Sequence, residues 1–345
     1  MQTLSRRMRV WLRRFAYSIA ALIIVPPATG AVYQQILLSS ERRAHPMPGE
    51  LIDVGGYKMH IYCTGPGGPA VILDSGLGDS YMSWRNVQPE IAKFVSVCSY
   101  DRAGLGYSEP SPRPRTSRVF AEELHELLHA ARVAPPYILV GHSFGGFNAR
   151  LFASRYRFET AGMVLVDSSH PDQPERMPAN DLLGAIREAK FLQYGEPIGI
   201  SRFLGYCDAD AAVRAAECTF NNARENSAEL ENVLTSGRET AAAGNLGDLP
   251  LVVISRDTDK RNLDFPADLD NARNKVWAEM QEELSHLSTQ GALVIAKGSG
   301  HAIQNDRPDI VIQAVHNVVD QARRKVAPWS GTRRCTAPTR WTVSS

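Results

Sequence analysis

The chain has 345 residues, enough for one large domain with a buried core or for two small ones. Its 38 Lys and Arg nearly balance 37 Asp and Glu, leaving a formal net charge of +1. Such a balance supplies no global field that would select nucleic acid, and no nucleic-acid partner is expected.

Charge is nevertheless unevenly placed. Arg6, Arg7, Arg9, Arg13 and Arg14 crowd the N-terminus with no acid among them, and an apolar stretch, FAYSIAALIIVPPATGAVYQQILL, follows from Phe15 to Leu38. A basic segment before an apolar one reads as a cleaved secretory signal, with Ala28-Thr29-Gly30 as cleavage site, or as an uncleaved anchor. Apolar residues continue past that point to nearly a full span, which favours the anchor. Pro26-Pro27 would kink a helix, a distortion that membranes tolerate. Basic residues at the N-terminal side keep that end in the cytoplasm and send the rest across, to the periplasmic or extracellular side. Residues 1–48 therefore read as a basic segment, an anchor or signal, and a linker, the charged, proline-bearing ERRAHPMPGE starting at Glu41.

From Leu51 the texture becomes β-like. LIDVGGYKMHIYC carries a Gly-Gly turn between two short apolar runs, a hairpin signal. Apolar runs then alternate with helical-length segments: AVILD, VSVCSY, YILV, GMVLVD, LVVIS and ALVIA. Continuous runs of this kind suit strands buried on both faces of a parallel sheet. TSRVFAEELHELLHAAR, NARLFASRY and RPDIVIQAVHNVVDQARR have helix signals, Pro308 falling where a first helical turn accepts it. Strands alternating with helices give an α/β fold. The stretch from about 168 to 248 has no convincing strand but several polar helical segments, and reads as a helical lid. Residues 49–326 form the main domain, and 327–345 lack periodicity and read as a disordered tail.

Export would make the five cysteines candidates for disulfides. Cys63 and Cys98 lie in β-like runs, Cys207 and Cys218 lie in the helical insertion, and Cys335 is left in the tail. Two internal bridges are expected; spacing alone leaves their connectivity open.

The strongest chemical signal is ILVGHSFGGFNARLF, where Gly141-His142-Ser143-Phe144-Gly145 stands between a strand and a helix. That is the context of a nucleophile elbow, a turn so tight that Gly141 and Gly145 have no room for side chains. Ser143 would project at a helix N-terminus, where the dipole favours developing negative charge. Serine needs a base to take its proton, and His301 suits, on the Gly-rich loop KGSGHAI between a strand and a helix. His142, adjacent to the nucleophile, is expected to point away. The third member, an acid fixing the histidine tautomer, belongs between Ser143 and His301 in chain order. Asp167 ends one strand, and Asp257 and Asp259 follow the next; Asp167 leads and the other two remain rivals. Backbone N–H groups of Phe144 and of Leu77, in Ser75-Gly76-Leu77-Gly78, are the expected oxyanion donors. The mechanism requires no metal or cofactor, and His142 and His170 lack metal-ligand spacing.

With these parts in order, the chain resembles the α/β-hydrolase superfamily over roughly residues 49–325, and most of all a bacterial membrane-anchored branch. The resemblance rests on LDSGLGDSYMSW, SYDRAGLGYSEP, LVGHSFGGFNARLFASRY, GMVLVDSSHPDQ and KGSGHAIQNDRP. It implies a mostly parallel eight-stranded sheet in the order 1-2-4-3-5-6-7-8, flanked by helices, with a cap after the sixth strand. That order makes the strands bearing Cys63 and Cys98 neighbours and their bridging geometrically reasonable. The superfamily usually carries its acid in a G-x-x-D after the seventh strand. Arg256-Asp257-Thr258-Asp259 lacks that glycine, which tilts the assignment to Asp167. Serine at the elbow argues against the dehalogenase and epoxide hydrolase branches, which use a carboxylate nucleophile. The expected activity is hydrolysis of a small-molecule carboxylic ester or thioester, with an amide second. Alternatives are an acyltransferase or cofactor-free haloperoxidase on the same triad, or a non-catalytic binding protein of the same fold.

Overall fold

A computed structural model describes residues 6–326; the expected tail with Cys335 lies outside the described residues. Eight strands form one sheet: β1 Glu50–Asp53, β2 Lys58–Thr64, β3 Ala70–Asp74, β4 Val97–Tyr100, β5 Tyr137–His142, β6 Thr160–Val166, β7 Leu251–Arg256 and β8 Gly291–Ala296. Their order is β1-β2-β4-β3-β5-β6-β7-β8, with β1–β2 and β2–β4 antiparallel and the rest parallel. The β1–β2 turn is set by Gly55 and Gly56, at φ 102° and 113°. Both N–H groups donate to Asp53 Oδ1, at 2.8 and 3.1 Å.

The apolar runs split by alternation between two cores. Ile72, Leu139, Leu165 and Val253 face one side with Phe152 and Leu124. Val71, Val140, Val164 and Ile254 face the other with Val315 and Trp84. A period of two on a sheet covered on both faces makes every position apolar; each such side chain contributes about 1.5–3 kcal/mol on burial. β8 departs from the expectation of burial on both faces: Leu293, Val294 and Ile295 are more than a third exposed. It is the sheet's last strand, paired on one side only. Cys63 and Cys98 face each other in the β2–β4 register and are joined, as are Cys207 and Cys218.

Between β6 and β7 the described structure is helical, the main pieces being Leu182–Gly195, Ala211–Glu217, Phe220–Glu231 and Val233–Ala241. The N-terminal helix runs unbroken from Arg6 to Ala44, through Pro26 and Pro27. The expected linker from Glu41 is thus in part a correction, since its first four residues continue the helix. Glu41 is held there by Arg202 and Arg214 from the helical insertion, at 2.8 and 2.6 Å.

Candidate active site

β5 carries the chain to the C-terminal edge of the sheet, where Ser143 takes φ 51° before the helix Gly145–Arg155 begins. A left-handed conformation at a non-glycine residue costs energy, and the flanking glycines make it sterically feasible. A Cβ on Gly141 would lie 2.7 Å from the Gly145 carbonyl carbon, and one on Gly145 would lie 2.4 Å from Asp74 O. Substitution at either would force the turn open.

The loop after β8 returns His301 across this edge, its Nε2 3.0 Å from Ser143 Oγ. The other ring nitrogen, Nδ1, lies 2.6 Å from Asp167 Oδ2. Asp167 follows β6 at φ 41° and is fully buried. It also accepts from Arg256 N–H at 2.9 Å, Arg256 Nη1 at 3.1 Å and Trp277 Nε1 at 2.7 Å. Burial alone would push its carboxyl up. The His301 hydrogen bond and charge, with Arg256, outweigh burial and hold it below the usual carboxylate range. Asp257 and Asp259 are brought elsewhere. Asp257 accepts from Gly298 N–H, and both face Lys297.

His142 directs its ring to the loop that carries His301. Its ring lies 4.8 Å from that of His301, and Nε2–H donates to His301 O at 3.2 Å. Burial, and then the charge of His301, push it down to about 3, so it lies against the His301 loop as a neutral ring.

Leu77 and Phe144 line a cavity of about 210 Å³ at Ser143, with Phe147, Leu182, Leu230 and Val233. Among the described residues neither the Leu77 nor the Phe144 N–H is taken by an intramolecular acceptor. A feature without an assigned role at the sequence level braces this loop. Buried Arg102 donates to Asp74 at 2.9 Å, Ser75 O at 2.8 Å and Gly76 O at 2.7 Å. It also pairs with Glu229 of the insertion through two bonds, at 2.6 and 2.9 Å. Glu229 in turn accepts from Gly78 N–H at 2.9 Å. SYDRAGLGYSEP contains this arginine, but its partner stands 127 positions away.

Among the described residues, the groups of His, Cys and Glu close enough together to hold a metal include none that lines the cavity at Ser143. At the other edge of the sheet His125, His129 and Glu159 hold ligand-type atoms within 4.8 Å of one another, with Glu159 accepting from both rings.

A family model described as "Alpha/beta hydrolase family" matches residues 71–314. The chain is 28% identical over 276 residues to the uncharacterized protein YqjL of Bacillus subtilis (strain 168), covering 80% of this chain and 93% of YqjL. Among solved structures it is similar to a thermophilic esterase from Thermogutta terrifontis (TM-score 0.58, 20% identity, 79% of this chain and 97% of that one). It is likewise similar to the Cif epoxide hydrolase from Acinetobacter nosocomialis (TM-score 0.64, 15% identity, 84% and 96%). Fold likeness at such identities spans different chemistries. What it and the matched residues establish together is membership: the chain is an enzyme of the alpha/beta hydrolase family.

Proposed function

We propose that the protein is a membrane-anchored serine hydrolase that cleaves a carboxylic ester or thioester through an acyl-enzyme on Ser143. The observation that carries this reading is the relay from Ser143 Oγ to His301 Nε2 at 3.0 Å and from His301 Nδ1 to Asp167 at 2.6 Å. As Ser143 attacks the substrate carbonyl, His301 takes its proton and Asp167 stabilises the imidazolium. The oxyanion is received by the N–H groups of Leu77 and Phe144. His301 then returns the proton to the departing alcohol or thiol. Water, deprotonated by His301, attacks the acyl carbon, and the carboxylate leaves as Ser143 recovers its proton. The apolar lining at Leu77, Phe147, Leu182 and Val233 suits the acyl group.

Anchoring is supported by the N-terminal helix, whose most apolar 18-residue window has mean hydropathy 1.7 and is not buried by the rest of the chain. Arg9, Arg13 and Arg14 precede the apolar run, an arrangement that keeps the N-terminus cytoplasmic and the catalytic domain outside.

The test is labelling of the full-length protein by a fluorophosphonate probe beside its Ser143→Ala variant. Labelling that vanishes in the variant is expected. A folded wild type that never labels would defeat the serine mechanism.

A further inference from the structure

The N-terminal helix does not merely precede the hydrolase domain; it is clamped to the lid. Gln34, 2% exposed, donates to Glu196 Oε1 at 2.8 Å and Cys218 O at 3.0 Å, and accepts from Arg202 at 3.0 Å. Gly30 packs so closely that a Cβ there would lie 2.4 Å from Ile198 O. Glu41 receives both Nη atoms of Arg202, and Arg42 donates to Ala215 O at 3.0 Å.

Length fixes where this clamp falls relative to a bilayer. No charge occurs between Arg14 and Glu41. From Phe15, about 20 helical residues at 1.5 Å each rise about 30 Å, the thickness of the hydrocarbon core. The span therefore ends near Gln34, at the level where the lid segment Glu196–Ile198 is held.

On either side of that segment large apolar side chains stand open. Leu183, Phe191 and Tyr194 are 67%, 55% and 74% exposed, and Phe203 and Tyr206 are 87% and 56%. On the helix Leu182–Gly195, Leu183, Phe191 and Tyr194 fall within about 80° of arc at 100° per residue, with Arg187 among them. Aromatic and aliphatic side chains with a cation on one face suit the membrane–water boundary. The same helix turns Leu182 and Ala185 to the cavity at Ser143. One helix thus stands between the cavity and this apolar surface.

We infer that the exposed lid surface on either side of Glu196–Ile198, with Leu183, Phe191 and Tyr194 before it and Phe203 after it, seats in a phospholipid bilayer, so that the acyl substrate is a membrane-borne ester reaching Ser143 past the helix Leu182–Gly195. The inference rests on the anchored-hydrolase reading, and the test separates the two. In full-length protein with Cys335→Ser, single Phe203→Cys, Phe158→Cys and Leu22→Cys variants are labelled with bimane. They are reconstituted in phosphatidylcholine–phosphatidylglycerol vesicles with or without doxyl-labelled lipid. Phe158 is fully exposed at the opposite edge of the sheet. The labels at positions 22 and 203 should lose roughly half their emission or more, and the label at 158 almost none. Loss at 22 without loss at 203 overturns the lid inference alone, leaving that face to water, a protein partner or a second copy. No loss at 22 overturns the anchor itself. A second measurement uses Phe203→Ser, whose exposed position protects the fold. Turnover of a long-chain ester held in vesicles should fall several-fold, with turnover of a soluble short-chain ester unchanged. An unchanged ratio of the two overturns delivery from the bilayer.

Discussion

Replacing Asp167 by Asn is the sharpest perturbation of the proposed relay. The carboxylate accepts four donors, two on each oxygen: Arg256 N–H and Trp277 Nε1 on Oδ1, Arg256 Nη1 and His301 Nδ1 on Oδ2. Asn retains one carbonyl oxygen, which the Arg256 and Trp277 donors hold in the Oδ1 position. Its NH2 group then faces His301 Nδ1 and the Arg256 guanidinium, donor against donor. His301 relieves the conflict by moving its proton to Nε2, where it faces Ser143 Oγ at 3.0 Å and can no longer accept the serine proton. Loss of the correct tautomer in such a triad costs about four orders of magnitude in kcat, or about 5.5 kcal/mol in the barrier. The assay is steady-state hydrolysis of a soluble chromogenic ester by full-length protein, with a thermal melt to show that the variant is folded. Asp257→Asn and Asp259→Asn should stay within a few-fold of wild type, because their carboxylates face Lys297 and the loop backbone. A folded Asp167→Asn variant that keeps a tenth or more of wild-type turnover refutes the reasoning.

Buried His60 lies between Asp101 Oδ2 at 2.8 Å and Pro48 O at 2.6 Å, so both ring nitrogens face acceptors, an arrangement that favours the doubly protonated ring. Burial would lower its pKa, but the Asp101 hydrogen bond and charge raise it. Its contribution is therefore present in full below the unfolded value of about 6.5 and is lost as pH rises through the higher folded value. Urea unfolding at successive pH values should show this decline, and His60→Gln should remove it; an unchanged slope would count against a charged ring. The Cys63–Cys98 bridge closes a loop of 35 residues, so its removal by Cys63→Ala with Cys98→Ala should cost about 4 kcal/mol in unfolding free energy. Non-reducing peptide mapping should find the two joined, and free thiols at both would contradict the pairing.

Much of the fold was legible because a two-sided sheet writes itself into the chain as short uninterrupted apolar runs, and AVILD, YILV, GMVLVD and LVVIS become β3, β5, β6 and β7. ALVIA was misleading for the same reason: an edge strand and an interior strand can share one composition, and only topology separates them. At the site, Ser143 and His301 were signalled by glycines that steric crowding or loop bending requires. The acid was ambiguous because three aspartates follow neighbouring strands, and only the path of the His301 loop brings one of them to Nδ1. Gln34 looks like a blemish in an apolar run until the lid's Glu196 and Arg202 meet it. Polar contacts between segments distant in sequence leave no periodicity to read.

Arg102 is the instructive case, because its effect on the site follows from peptide geometry. In a trans peptide the C=O of one residue and the N–H of the next point in opposite directions. Arg102 holds the Gly76 carbonyl at 2.7 Å, so the Leu77 N–H of that peptide unit is turned away from the guanidinium. Leu77 lies in the wall of the cavity containing Ser143, as an oxyanion donor must. Glu229, from the insertion, fixes the guanidinium with two bonds and holds Gly78 N–H with the second oxygen. Removing the cation by Arg102→Met leaves Asp74 and Glu229 buried without a counter-charge, which should cost about 3–5 kcal/mol of stability. Glu229→Gln is the milder probe, since it retains an acceptor while weakening the clamp. It should lower kcat towards the roughly hundred-fold loss of one oxyanion donor, with KM little changed, because the displaced N–H acts on the oxyanion and not on the bound ester. A variant that raised KM and spared kcat would show that Glu229 shapes the substrate pocket and leaves the Leu77 peptide untouched.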